Sequence, residues 1–244
     1  MSPLSKVQLL GTKFENISST NLVDWLLDQH PTSTPIRFMN VHSIVEQSRH
    51  TEYANSIARR GVNFADGSPL ILLSWLFNRK KLTRVRGFDF FSEIVKSPRV
   101  RNRHIFIVPN QIVAARLTSE LMLVNPEIAI GAIILPPHTE DLNELLKFIH
   151  SHYESMSSDI VWIGLGGVKQ DLLADSLSSI SKTAVGVGAA FNFYVGHVPQ
   201  CPKFLSTMGL EWLFRISVEP KRLWKRYLFD LVAFLWILIL KALR

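Results

Sequence analysis

The chain has 244 residues, 47% of them hydrophobic and 19% charged, with a net charge of +7 and one cysteine, Cys201. That length suits one medium domain, or a domain with an appendage, and the apolar content is ample for a core. A single thiol excludes an internal disulfide framework and fits a reducing compartment.

The start, "MSPLSKVQLLGTKFENIS", has no long apolar segment of the secretory type, so a cytoplasmic location is expected. No heptad pattern, internal repeat or low-complexity tract occurs. The charge is uneven. Residues 203–244 hold eight Lys/Arg against three acids, a net +5, which leaves +2 for residues 1–202. A basic end on a nearly neutral body points to an anionic partner: nucleic acid, phospholipid head groups or a diphosphate.

In chain order, "IRFMNVHSIV" (36–45) opens as a short strand and runs into "EQSRHTEYANSIARRG", a polar-faced helix stopped at Gly61. "VNFA" (62–65) is a strand. "PLILLSWLF" (69–77) is expected to be a buried helix, with Ser68 as N-cap and Pro69 at the first helical position. "HIFIVP" (104–109) is a strand rich in β-branched and aromatic residues, and "QIVAARLTSELMLV" (111–124) has helical periodicity. "EIAIGAIILP" (127–136) is a strand, and "TEDLNELLKFIHSHYESM" (139–156) an amphipathic helix capped by Thr139. "DIVWIGLGG" (159–167) is a continuous apolar strand ending in glycines. "VKQDLLADSLSSIS" (168–181) is helical, and "TAVGVGAAFNFYVG" (183–196) is strand then turn. Strands alternating with helices imply an α/β fold with a mainly parallel sheet, whose ligands bind at the carboxyl ends of the strands.

Three segments fall at such ends. Asp66, beside Gly67, is a loop carboxylate that is too early to cap the helix after Ser68. "GLGGVKQD" (164–171) is a glycine-rich strand-to-helix turn that lets backbone N–H groups approach a phosphate. It matches neither a Walker A loop nor G-x-G-x-x-G, and a tight turn alone would explain it. Gln170 can read a sugar hydroxyl or a base edge, or be a solvated first-turn residue. The third is "VGVGAAFN", with Gly188, Phe191 and Asn192 as substrate-binding residues. In "RVRGFDFF" (84–91), Arg86 can clamp a phosphate, although a surface salt bridge with Asp89 is the plainer reading. The eight histidines show no pair with ligand spacing on a clear helix face, and no metal site is expected.

The C-terminal segment mixes four cations with Trp224 and Tyr227 in "EPKRLWKRYL" (219–228), then runs through ten apolar residues, "LVAFLWILIL" (231–240). A membrane span needs ~17–25 apolar residues, so this run suits in-plane or shallow insertion at a membrane surface. Packing into the core or against a partner subunit is the alternative. The long aliphatic run disfavours nucleic acid as partner.

Taken together, "NFADGSPLILL", "RVRGFDFF", "WIGLGGVKQD" and the block from "VGVGAAFN" to "EPKRLWKRYL" resemble the WecG/TagA/CpsF glycosyltransferases, glycosyltransferase family 26, over roughly residues 36–228. The resemblance implies an inverting, metal-independent enzyme with no cofactor. It would move a sugar from a UDP-sugar to a polyprenyl-diphosphate-linked saccharide in cell-surface polysaccharide synthesis. It also implies a Rossmann-like α/β core (1–200) and a helical membrane-associating appendage (201–244), at the cytoplasmic face of the inner membrane. By the same resemblance, Asp66 of "ADG" is the general base and Asn40 of "MNVHSI" lies near the acceptor sugar. Gln170 matches the glutamine of G-x-P-K-Q-E, with Val168 and Asp171 as departures, and Met39 stands where the family usually has threonine. Arg215, Arg222 and Arg226 match appendage arginines that meet a diphosphate. "FIVPNQ" (106–111) and "GAIILPP" (131–137) depart from the family's glycine patterns. The departures at Met39, Val168 and "VPNQ" motivate a second reading, a non-catalytic membrane-bound scaffold of a polysaccharide assembly complex. Homo-oligomer formation is left open.

Overall fold

The computed structural model describes residues 5–17, 22–79, 82–152 and 156–243. The chain begins with an antiparallel hairpin, β1 (Ser5–Leu9) and β2 (Thr12–Asn16). Then come β3 (Ile36–Met39), β4 (Val62–Ala65), β5 (His104–Ile107), β6 (Ile130–Ile134), β7 (Met156–Ile163) and β8 (Ser181–Gly186). These six form one sheet in the order β4-β3-β8-β7-β5-β6, parallel at every pairing. The strands read as near-continuous apolar runs because both of their faces are covered. Phe106, Trp162 and Val185 enter one core, and Ile105, Ile107, Val161, Ile163 and Ala184 the other, as the two-residue strand period requires.

The first core is closed by α1 (Leu22–Asp24, continued as a π-helical turn over Trp25–Gln29), α5 (Gly87–Lys96), α6 (Gln111–Val124) and the short α9 (Ala190–Tyr194). On the opposite side lie α2 (Val41–Arg49), α3 (Thr51–Arg59), α7 (Leu142–His152) and α8 (Gly167–Ser178). There α4 (Ser68–Asn78) and the long α12 (Pro220–Ala242) contribute Leu70 and Phe234 to the buried set. Between α9 and α12 run α10 (Lys203–Thr207) and α11 (Glu211–Val218).

Several expectations change. The helix expected after residue 45 is two helices, broken at His50, whose backbone is extended. α4 forms where expected but is not a buried helix: Leu72, Trp75, Leu76 and Phe77 are 45–58% exposed. Its N-cap is Gly67, at φ +132°, and Ser68 is already inside the helix. The helix expected over 139–156 spans Leu142–His152. Residues 153–155 lie outside the described set, and β7 begins at Met156. The hairpin has no counterpart among the sequence expectations. It lies beside the edge strand β4, where Asn63 Nδ2 donates to the Lys13 carbonyl at 3.1 Å, and so shields an edge that would otherwise pair with other chains.

Candidate active site

The carboxyl ends of β3 and β4 set the first half of the site. The Asp66 N–H donates to the Met39 carbonyl at 2.8 Å, which continues the β3–β4 ladder one residue past the strand. Gly67 then turns the chain away at a positive φ that L-residues rarely adopt. Across the turn, Asn40 is the N-cap of α2 in a capping box with Ser43, leaving its exposed side chain beside the Asp66–Gly67 turn. Met39 points the other way and is fully buried in the core, so the residue before Asn40 acts on packing.

A second segment brings cations to the carboxylate. Ala65 forms a parallel bridge with Arg84, and Val85 N–H donates to the Ala65 carbonyl at 3.0 Å. Arg84 Nε consequently lies 3.9 Å from Asp66 Oδ1. Arg84 also pairs closely with Glu211, on the first turn of α11. Arg86, the N-cap residue of α5, reaches Asp89 at 3.1 Å and Glu211 at 3.8 Å. Arg215 reaches Glu211 at 3.3 Å and lies over the Phe193 ring, 5.1 Å from its centroid. Ser206 Oγ accepts from both Arg84 (3.2 Å) and Arg86 (3.0 Å). Arg86, Phe193, Cys201, Glu211, Arg215 and Glu219 line a pocket beside this cluster. Arg86 thus does make the expected bridge to Asp89, yet its other end belongs to the site.

This environment decides the chemistry of Asp66. Burial, followed by the charge of Glu211, pushes its pKa up to about 6 against the opposing pull of Arg84, Arg215 and Arg86. A carboxylate so placed is ionised at neutral pH and more basic than an ordinary aspartate, as a general base requires. Glu211 behaves oppositely. Burial opposes its charge, but Arg215, Arg86 and Arg84 outweigh burial and hold its carboxyl below the usual range.

The second half of the site lies at the ends of β7 and β8. Gly166 and Gly167 adopt positive φ, and open space lies where their side chains would be. They lead into α8, whose N-terminus has no side-chain cap. Its first-turn amides and dipole therefore suit an anion. Gln170 is buried. Its Oε1 accepts from Gly166 N–H (3.0 Å) and Gly188 N–H (2.9 Å), pinning the two glycine loops together. Its amide is bonded on the other side to Asp171, which also accepts from Tyr53 Oη at 2.5 Å. Phe191 has no exposed surface. It packs under Gly164 and against Phe91 and Phe106, so it supports the Gly188 loop from the core rather than from the open face. Asn192 Oδ1 accepts from Asn110 Nδ2 at 3.1 Å, tying this loop to the end of β5.

The model of the glycosyl transferase WecG/TagA/CpsF family matches residues 7–244. The chain belongs to that family. Among curated proteins it is similar to the N-acetylglucosaminyldiphosphoundecaprenol N-acetyl-β-D-mannosaminyltransferase of Bacillus subtilis (strain 168). The identity is 22% over 222 residues, covering 88% of this chain and 84% of the relative.

As a WecG/TagA/CpsF-family glycosyltransferase, the chain brings Asp66, Asn40, Arg86 and Arg215 to one end of the sheet, with Gln170 and Gly188 at the neighbouring loops. Arg222 and Arg226 make local contacts instead. Arg222 makes a two-point pair with Glu219 at 2.9 and 2.6 Å, and Arg226 lies over its neighbour Tyr227. Arg84, Ser206 and Glu211 are the members that the sequence did not single out. Arg84 and Glu211 are 127 positions apart, and Glu211 precedes Arg215 by four residues, which reads as an ordinary helix-surface pair.

Among the described residues, one group has the makings of a cation site: His42, Glu46 and Asp230, with ligand atoms within 4.8 Å of one another. The protein itself satisfies these groups. His42 Nδ1 meets Asp230 at 3.0 Å, and Glu46 pairs with Arg49 and His50. His42 and Glu46 are one turn apart on α2, a spacing that the sequence reading overlooked.

Proposed function

We propose that this glycosyltransferase moves a sugar from a UDP-sugar to a polyprenyl-diphosphate-linked saccharide by a single inverting displacement without a metal ion. The observation that carries the reading is Asp66: a partly buried, basic carboxylate at a strand end, flanked by Asn40 and by a cationic cluster. The acceptor hydroxyl loses its proton to Asp66 as its oxygen attacks the anomeric carbon. The bond from that carbon to the diphosphate breaks, and UDP leaves with the electron pair. One displacement inverts the anomeric centre. The α8 N-terminus and the glycine loops suit the donor diphosphate. Arg84, Arg86 and Arg215 stand on the other side of Asp66 and suit the acceptor diphosphate. An acceptor of this class is the one in the Bacillus subtilis relative's name.

A lipid-linked acceptor fits the outer surface. No described helix is long and apolar enough to cross a membrane. α12 instead exposes Leu228, Leu231, Val232, Leu235, Trp236 and Ile239 along one side, each 49–61% exposed. Its C-terminal end meets α4, where Lys241 lies 5.6 Å from the Phe77 ring centroid, so the exposed apolar residues of both helices flank that contact. Exposed apolar residues of this kind, with Lys221, Arg222, Lys225 and Arg226 exposed or half-buried at the basic end of α12, suit shallow insertion into an anionic leaflet.

The test is a panel of UDP-sugars against a short-chain polyprenyl-diphosphate saccharide, with and without EDTA. Transfer from at least one donor, unaffected by EDTA, is expected. No transfer from any donor, or an absolute need for Mg²⁺ or Mn²⁺, overturns the reading. Liposome co-sedimentation tests the surface: Leu235→Gln/Trp236→Gln is expected to release the protein from anionic vesicles.

A further inference from the structure

Glu211 stands where three arginines from two parts of the chain converge. Its Oε2 faces Arg84 and Arg86, which precede α5, and its Oε1 faces Arg215 on its own helix. Ser206, whose carbonyl accepts from Arg84 at 3.0 Å, completes the bracket. Arg84 is therefore held from both ends of its guanidinium fork, by Glu211 at Nη2 and by Ser206 at Nη1. Its remaining donor, Nε, is buried and bonded to nothing, and it stops 3.9 Å short of Asp66.

That gap is informative. An arginine free to move beside a half-buried aspartate closes to a two-point pair at ~2.7–2.9 Å, and a paired carboxylate is a poor base. Here both terminal nitrogens of Arg84 are instead taken up, by the Glu211 carboxylate from α11 and by Ser206.

We propose that Glu211 is a positioning residue for the transfer reaction. It holds Arg84, and with it Arg86 and Arg215, in place beside Asp66 without letting them pair with it, so that Asp66 stays free to take the acceptor proton. This rests on the role given to Asp66 above and deepens it. The groups that face Asp66 are Arg84 and Arg86 from the segment between α4 and α5, and Glu211 and Arg215 from α11. Loss of the Glu211 charge both removes a repulsion and frees Arg84, and the two effects act in the same direction.

The experiment measures Asp66 twice in full-length protein. One readout is the acid limb of kcat/KM against pH. The other is ¹³C-carboxyl NMR titration of Asp-labelled protein, with Asp66 assigned by its loss in Asp66→Asn. In Glu211→Gln, both midpoints are expected to fall by at least one pH unit from about 6, and plateau kcat by tenfold or more. Glu211→Asp, which keeps the charge, is expected to recover most of both. Arg84→Met is expected to move the midpoint up instead, and Arg84→Met/Glu211→Gln to return it toward the wild-type value. The Arg84 variant also keeps the test decisive if Glu211→Gln does not fold. Unmoved midpoints in either single variant, or a rise in Glu211→Gln, overturn the proposal. The NMR titration needs no turnover, so an inactive wild type would refute the transfer reading while still reporting on Glu211.

Discussion

Replacing Asp66 with asparagine separates what this residue does for catalysis from what it does to stability, and the two should move in opposite directions. The folded protein raises the Asp66 pKa from 3.8 to about 6. Each unit corresponds to ~1.4 kcal/mol, so the ionised carboxylate costs the native state on the order of 2–3 kcal/mol above pH 6. The sign follows from proton counting. Between pH 3.8 and 6 the folded state binds more protons at Asp66 than the unfolded state does, so stability falls as pH rises through that window and stays reduced above it. Asparagine has the same shape and no charge to bury. Asp66→Asn should therefore melt higher than wild type at pH 7.5, by ~2–4 °C per kcal/mol for a chain of this size, and the advantage should vanish near pH 3.5. Turnover should fall ~10²–10⁴-fold, because the amide cannot accept the hydroxyl proton. The wild-type kcat/KM should lose about tenfold for each pH unit below 6, and the residual activity of the variant should lack that limb. Thermal melts at the two pH values, beside steady-state kinetics from pH 4.5 to 8, test all three statements. Undiminished turnover, or an acid limb that survives in Asp66→Asn, would remove Asp66 from the role of base. A lower melting temperature at pH 7.5 would refute the electrostatic reasoning.

Gly164→Ala should lower stability by ~1–3 kcal/mol and weaken UDP binding, because the new methyl would lie 2.4 Å from Phe191 Cδ2, under the Gly188 loop. Urea unfolding and UDP titration calorimetry measure the two effects. His104 is buried, accepts from Trp162 Nε1 at 2.9 Å, and has its pKa pushed down to about 4 by burial. Its neutral form thus contributes stability that is complete above pH 6.5 and lost toward pH 4, on the order of 3 kcal/mol. Urea midpoints at pH 7, 5.5 and 4.5 should show this loss, with a flatter dependence in His104→Gln. Asp175 accepts from Arg59, Arg60 and Ser56 and lies 3.9 Å from the fully buried Arg37. Asp175→Ala should cost ~3–5 kcal/mol by leaving that buried guanidinium short of counter-charge, read as a drop in the urea midpoint.

The sheet was readable because parallel strands covered on both faces appear as apolar runs. "VNFA" and "QIVAARLTSELMLV" match β4 and α6 to the residue. The first hairpin was not readable: its turn uses Leu10 at φ +51° before Gly11, where Asn or Asp would have signalled it. α4 shows a different limit. Apolar composition predicts a helix that avoids water, but "LILLSWLF" does not say whether protein or something else covers it, and much of it is left exposed. At the site, Asp66 stood out because a lone carboxylate at a strand end has no structural duty. Arg84 and Glu211 did not: Glu211 reads as a helix-surface partner of Arg215, and no local pattern ties Arg84 to Asp66. Only the bridge from Ala65 to Arg84, together with the fold-back of α11, brings them to Asp66.

The position of β8 has a consequence for how the protein is made. β8 is the sixth strand of the sheet in chain order, yet it lies third in space, joined to β3 on one side and β7 on the other. Until it has left the ribosome, β3 and β7 both lack the neighbour that joins them in the finished sheet, and each has an apolar edge without a partner. Such edges pair readily with other chains. Synthesis therefore ends its most exposed interval only when Ser181–Gly186 slides between the halves, and Gly188, two residues beyond, arrives in the same event. A stalled or cleaved product ending before residue 181 lacks the strand that joins the two halves and the Gly188 loop that Gln170 holds, whereas one ending after that loop has all six strands of the sheet.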